Sequence, residues 1–189
     1  MPLDPNDPRL MRLKELEETK AVLRGDFTLS SGAKSSYYFD GRKVTTDAEG
    51  AALIGALVEE LLHEDKIEAV GGPATAALPI VTATQVASYT RHRPLPGFYV
   101  RSEKKAHGTG QLIEGNLPAK KGARVAMVDD TMTTGGSLLK AIEAVEEAGC
   151  KVAKVIVIVD RQQGGSEMLR SKGYDVAALF KADSKGNID

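Results

Sequence analysis

The stretch VAMVDDTMTTGGS, residues 125–137, starts as an apolar run, passes through two adjacent acids and ends in small hydroxyl and glycine residues. A short apolar run bounded by turn-forming residues reads as a buried strand, here Arg124 to Val128, and the glycines open a helix from Gly136 to about Ala148. In an open parallel sheet, ligands bind beyond the carboxyl ends of the strands, where loops lead into helix N-termini. Asp129 and Asp130 stand at such an end. Past them, the backbone N–H groups of Thr133 to Ser137 have no partners within the helix they begin, and glycine lets such groups approach an anion closely. The hydroxyls of Thr131, Thr133, Thr134 and Ser137 add donors. This makes a phosphate cradle that needs no cation, flanked by two carboxylates suited to accept sugar hydroxyls or to neighbour a cationic centre or metal. The Walker spacing G-x-x-x-x-G-K-[ST] and its lysine are absent, as is the dinucleotide fingerprint G-x-G-x-x-G. Taken singly, two acids before a loop and a Thr-Thr helix cap are as well explained by capping preference alone; their combination after an apolar strand is not.

Around this stretch, strand and helix patterns alternate. Ile67 to Val70 reads as a strand ending in Gly71-Gly72-Pro73, Thr75 to about Tyr89 as a helix, Phe98 to Arg101 as a strand and Val152 to Val159 as another. Ser166 to Lys172 reads as a last helix, Val176 to Phe180 as a last strand, and KADSKGNID as a frayed tail. The alternation implies right-handed crossovers and a parallel sheet. The run VAKVIVIVD, apolar on both faces, suits a strand covered from both sides. Upstream, Asp7-Pro8 resembles an N-cap and first helical position, with Leu10, Leu13, Leu16 and Val22 as an apolar helical face that ends at Gly25. Phe27 to Ser31 and Tyr37 to Asp40 read as a hairpin-like pair, and Asp47 caps a helix through about Leu62. The Gly- and Lys-rich segment SEKKAHGTGQLIEGNLPAKKG, beginning at residue 102, has no sustained period. A connection that long in a compact domain is usually functional or mobile.

The 189 residues fit one domain, able to bury about 70% of the unfolded chain's surface. A net charge of -1 gives no electrostatic case for nucleic acid, so phosphate recognition must be local. One cysteine, Cys150, excludes an internal disulfide and suits a reducing compartment. There is no signal-peptide core at the N-terminus and no run near the roughly 20 apolar residues of a membrane span, so the expected location is the cytoplasm. His63 and His92 have no chemical context and read as surface residues.

Two acids followed by T-x-T-T-G-G-S resemble the ribose-phosphate motif of the type I phosphoribosyltransferases, which use phosphoribosyl pyrophosphate (PRPP). Three further stretches are similar to the orotate branch of that family: FTLSSGAKSSYYFD (27–40), VRSEKKAHGTGQLIEG (100–115) and VDRQQGG (159–165). The resemblance runs from about residue 15 to residue 180. It implies the α/β parallel-sheet fold of type I phosphoribosyltransferases, helices on both faces, a small N-terminal hood over about residues 1–45 and a flexible catalytic loop over about 102–118, all in one domain. It also implies the conversion of orotate and PRPP to orotidine 5'-phosphate and pyrophosphate in pyrimidine biosynthesis, Mg²⁺ bound mainly through PRPP, and a homodimer that shares active sites.

Carried over by position, the resemblance gives catalytic roles to Lys105, His107, Asp129 and Asp130. Arg101, Lys105 and His107 would hold the pyrophosphate, Asp129 and Asp130 the ribose, and Thr131, Met132, Thr133, Thr134, Gly135, Gly136 and Ser137 the 5'-phosphate. Thr133 and Arg161 would meet orotate, and the loop Gly71-Gly72-Pro73-Ala74-Thr75 would cup the pyrophosphate. On composition alone, RSEKKAH reads as a solvated charged loop and Arg161 as a surface ion-pair former. The chain departs from the family at Ser30, Ala76 and Ser102, where other members carry lysines; Lys34 and Lys104 are the nearby candidates to replace them. Two competing readings remain: a transferase for another base, such as a purine, and a non-catalytic PRPP-sensing regulator.

Overall fold

The computed structural model describes residues 3–28, 34–103 and 111–189. Six strands form the central sheet in the order β5-β4-β3-β6-β7-β8. They are β3 (Ala69–Pro73), β4 (Gly97–Val100), β5 (Ile113–Gly115), β6 (Arg124–Met132), β7 (Lys151–Asp160) and β8 (Val176–Lys181). All neighbours pair parallel except the edge pair β4–β5, which is antiparallel. The helices α3 (Ala48–Leu61), α4 (Ala77–Thr90), α5 (Gly136–Glu147) and α6 (Gly165–Ser171) surround the sheet.

Strand alternation explains why both faces need cover. Ala126, Val128, Ile156 and Ile158 pack on one side with Ile54, Leu57 and Ile80 of α3 and α4. Val125, Met127, Val155 and Val157 pack on the other with Leu138, Ile142 and Leu169 of α5 and α6. This is the double burial read from VAKVIVIVD, and truncating a side chain such as Ile156, which is fully buried, to Ala costs about 2–5 kcal/mol.

The N-terminal part comprises α1 (Pro8–Leu16), a wide π turn over Glu17–Ala21, the antiparallel pair β1 (Val22–Thr28) and β2 (Lys34–Phe39), and the short α2 (Arg42–Thr45), and its Leu13, Leu16 and Phe39 join the core beneath α3 and α4. Asp7 caps α1 through the Arg9 amide, with Pro8 at the first position, as its sequence predicts. Asp47 likewise caps α3, accepting from the amides of Glu49 and Gly50.

Four expectations are corrected. The opening helix does not run to Gly25: from Val22 the chain pairs with β2, so a tertiary partner overrides helical periodicity. The central strand does not stop at Val128, because Asp129, Thr131 and Met132 continue the ladder opposite Val157, Val159 and Asp160. The aperiodic segment after residue 102 contains β5, an edge strand opposite Phe98–Val100. The C-terminus is not frayed: the Lys181 amide donates to Asp189 O at 3.0 Å, the Asp189 amide returns to Lys181 O at 2.9 Å, and Ile188 is buried.

Candidate active site

The parallel strands deliver the site residues to one sheet edge. In spatial order, that edge carries Arg101 after β4, Gly71–Thr75 at the end of β3, Asp129–Ser137 at the end of β6 and Arg161 after β7. Three inter-strand spacings separate the outermost pair, ~14 Å, a span that suits an extended ligand. Backbone hydrogen bonds lock the neighbouring ends together. The Ala74 amide donates to Val100 O at 2.8 Å, and the Arg161 amide to Met132 O at 2.9 Å.

Asp129, Thr131, Met132, Thr133, Thr134, Gly135, Gly136 and Ser137 line, with Leu138, a cleft of about 260 Å³. Helix α5 begins there without any side-chain cap, after Gly135 at φ 75°. Its first-turn amides therefore offer donors to a ligand, reinforced by the positive end of the helix dipole. The loop after β7 braces this cradle. The Gly165 amide donates to Thr133 O at 3.1 Å, and a β-carbon at Gly165 would fall 2.7 Å from both Thr133 O and Met132 Cγ.

The two acids part company. Asp129 is 5% exposed, opens onto this cleft and accepts the Asp130 amide at 3.0 Å. Burial, and then the charge of Asp130, push its carboxyl up to about 8. Asp130 points to the opposite face of the strand, toward the N-terminal layer, where a β-carbon on Gly41 would sit 3.0 Å from its Oδ2. Burial raises its carboxyl too, against the lowering effect of hydrogen bonds from Thr131. The structure thus does not bring both acids to the cleft.

Beneath Asp130 lies a residue that the sequence did not flag. Glu17, in the π turn, is fully buried, and neither carboxyl oxygen has a hydrogen-bond partner among the described residues. Burial, with a further contribution from Asp130, pushes it up to about 8.

Arg161 is held from β2. Its Nη2 donates to the Tyr37 hydroxyl at 2.9 Å, and its guanidinium carbon lies 5.2 Å from the Tyr37 ring centroid. Asp160 fixes the turn that carries it, accepting from the Gln162 amide at 2.8 Å and the Ser166 hydroxyl at 2.5 Å. The Arg161 Nε is buried with no acceptor among the described residues, and the same holds for the Nε of Arg101, whose Nη1 reaches Glu114 Oε1 at 3.3 Å. Both arginines therefore have donor capacity left for an anion.

Lys105, His107, Lys104 and Ser30 lie outside the described residues. Lys34 donates to the Thr28 hydroxyl at 2.8 Å, Ser102 is exposed and Ala76 half-buried. His63 and His92 are exposed.

Residues 43–176 match the family model of the phosphoribosyl transferase domain. The chain is 37% identical to an orotate phosphoribosyltransferase of Rhodopseudomonas palustris over 179 residues, 94% of this chain and 96% of the relative. It is 47% identical to one of Nostoc sp. over 161 residues, 85% and 77% of the two chains. The crystal structure of Mycobacterium tuberculosis orotate phosphoribosyltransferase in complex with PRPP superposes with a TM-score of 0.79 at 36% identity, covering 92% of this chain and 96% of that one. The uncapped helix start after β6, the arginine after β7 and these likenesses along nearly the whole length agree: the chain belongs to the orotate phosphoribosyltransferases of the phosphoribosyltransferase family.

Proposed function

We propose that this enzyme transfers the 5-phosphoribosyl group of PRPP to orotate, giving orotidine 5'-phosphate and pyrophosphate, in pyrimidine biosynthesis. The observation that carries the reading is the junction of β6 and β7: an uncapped helix N-terminus suited to a 5'-phosphate, hydrogen-bonded to the turn of an arginine with unused donors. An arginine fork matches a planar carboxylate, which orotate has and adenine lacks.

The reaction breaks the bond between the anomeric carbon and pyrophosphate, so positive charge grows on the sugar and negative charge on the leaving group. Asp129 lies on the cleft floor, where its carboxylate takes up ribose hydroxyls and faces the developing cation. Hydrogen bonds donated by those hydroxyls favour its charged form. Arg101, Lys105 and His107 act on the pyrophosphate, where fixed cations stabilise the transition state more than the ground state. Asp130 supports the ribose site from the far side of the strand. Thr131 to Ser137 anchor the 5'-phosphate, and Thr133 with Arg161 orients the base. Positioning and charge stabilisation supply the catalysis, with no covalent nucleophile.

Among the described residues, no group of three or more acids, histidines or cysteines could hold a metal ion. The hard oxygens of Asp129 suit Mg²⁺ only as a minority of its ligands, so PRPP itself would hold the ion, as is usual for this cation with phosphates. When bound, it supplies neutralising charge to the pyrophosphate.

We read the chain as one domain whose hood covers about residues 1–45 and whose catalytic loop spans about 102–118. We also propose a homodimer. Val86 and Tyr89 on α4 are 62% and 74% exposed, an apolar pair suited to a second copy; a monomer in sedimentation velocity at micromolar concentration would refute this. No helix among the described residues is long and apolar enough to cross a membrane, and a free buried Cys150 suits the cytoplasm, which cell fractionation tests.

The reaction is checked by mixing protein, orotate, PRPP and Mg²⁺. Orotate absorbance should fall with one pyrophosphate released per orotate consumed. Pyrophosphate release that ignores orotate would overturn the assignment.

A further inference from the structure

The C-terminal segment 182–189 is built into the fold and ends its path against the hood and the base-side arginine. The Ala182 amide donates to Asp160 O at 2.8 Å, and Ala182 bridges Ile188 in antiparallel fashion. The Asp183 carboxylate organises the turn between them, accepting from the Lys185 amide at 2.7 Å, the Asn187 amide at 2.9 Å and the Asn187 side chain at 2.7 Å. Gly186, at φ 78°, lies flat on Tyr37: a β-carbon there would be 2.7 Å from ring Cδ2. Arg24 of β1 donates to Lys185 O at 3.1 Å, and Gln162, next to Arg161, reaches Ala182 O at 3.4 Å.

We propose that this segment belongs to the base-binding apparatus and that Tyr37 is the positioning residue through which it acts on Arg161. The Tyr37 hydroxyl donates to Asp183 O at 3.3 Å and accepts from Arg161 Nη2 at 2.9 Å. A phenol has a single proton. Committing it to the tail carbonyl turns the oxygen lone pairs toward the arginine, so the hydroxyl is held as an acceptor. Tyr37 is 3% exposed, clasped between Gly186 and the guanidinium. The long arginine side chain loses rotamer freedom when it grips a ligand. Fixing it beforehand removes that cost from base binding and leaves the chemical step alone.

The inference rests on the reading of Arg161 as the orotate-binding residue, and the test separates the two. Steady-state constants for both substrates are measured for Tyr37→Phe, Asp183→Ala, Arg161→Ala and the double variant Tyr37→Phe/Arg161→Ala. Tyr37→Phe keeps the ring and removes the hydroxyl. It should raise KM for orotate roughly tenfold, as expected for a lost hydrogen bond to a charged group, with kcat and the KM for PRPP within about twofold. Asp183→Ala, a change at the half-buried tail turn, should give the same selective pattern more weakly. In the Arg161→Ala background, Tyr37→Phe should add nothing, because the two act as one unit. If Arg161→Ala raises the orotate KM but Tyr37→Phe does not, the positioning role is wrong and the Arg161 reading stands. If Arg161→Ala leaves the orotate KM unchanged, the reading of the arginine fails and the inference fails with it. A loss shared equally by both substrates in Tyr37→Phe, or an additive double variant, would mark a merely structural tyrosine.

Discussion

Replacing Glu17 by Gln should stabilise the protein at neutral and alkaline pH and lose that advantage in acid. Glu17 has no exposure, no hydrogen-bond partner among the described residues and a second carboxylate, Asp130, close enough to raise it further. Its folded value of about 8 lies above the unfolded 4.5. For a group raised in the folded state, the associated stability is fully present below the unfolded value, near pH 4.5, and is lost as pH rises toward 8. The slope across that window is about 1.4 kcal/mol per pH unit. Between pH 5 and pH 7.5, native Glu17 therefore costs about 3 kcal/mol that Gln does not. Any penalty of a buried amide, about 1–3 kcal/mol, is the same at both pH values and cancels in the comparison. With about 2–4 °C of Tm per kcal/mol at this size, the Tm difference between variant and parent should grow by roughly 6–12 °C in favour of the variant from pH 5 to pH 7.5. Thermal melts of both proteins in matched buffers read it directly. A difference that stays constant with pH would refute the unpaired burial of Glu17.

Three further outcomes follow from the site. Lys105→Ala should lower kcat by on the order of 10²-fold, the usual loss on removing a preorganised charge donor; an unchanged kcat in a steady-state assay would remove Lys105 from the leaving-group role. Asp129, at about 8 in the free protein, must ionise to take ribose hydroxyls, so PRPP binding at pH 7 should release close to one proton and weaken about tenfold per pH unit below 7. Calorimetry in buffers of different ionisation enthalpy reads that proton, and heats that do not depend on the buffer would contradict it. Gly165→Ala should raise the KM for PRPP several-fold, because the added carbon meets the Thr133 carbonyl at 2.7 Å and pushes on the phosphate loop; an unchanged KM would show that the loop yields freely.

Composition alone pointed to an open helix start at Thr133–Ser137, and α5 does begin there without a side-chain cap, because small residues leave its first amides unpartnered. The alternating layers were legible too, since doubly covered strands are apolar on both faces. The extent of β6 was not. Aspartates are poor strand formers, and Asp129 to Met132 stay in register because β7 runs alongside. Glu17 gave no signal either: in a helical pattern, an acid beside Leu16 reads as a polar face. Only the π turn and the hood above it bury that side chain. The tail could have been found from Asp183, Gly186 and Asn187, which are turn-forming residues, followed by the apolar Ile188. Its contact with Tyr37 depends on a fold-back that no local pattern encodes.

Orotate and uracil differ only by a carboxylate, so their ratio of kcat/KM with saturating PRPP isolates what Arg161 and its supports do. The account predicts turnover of orotate with uracil at least about 10³-fold poorer, because a site built to pair a charged group leaves its own donors unpaired without it. Comparable turnover of uracil, or of adenine, would contradict it.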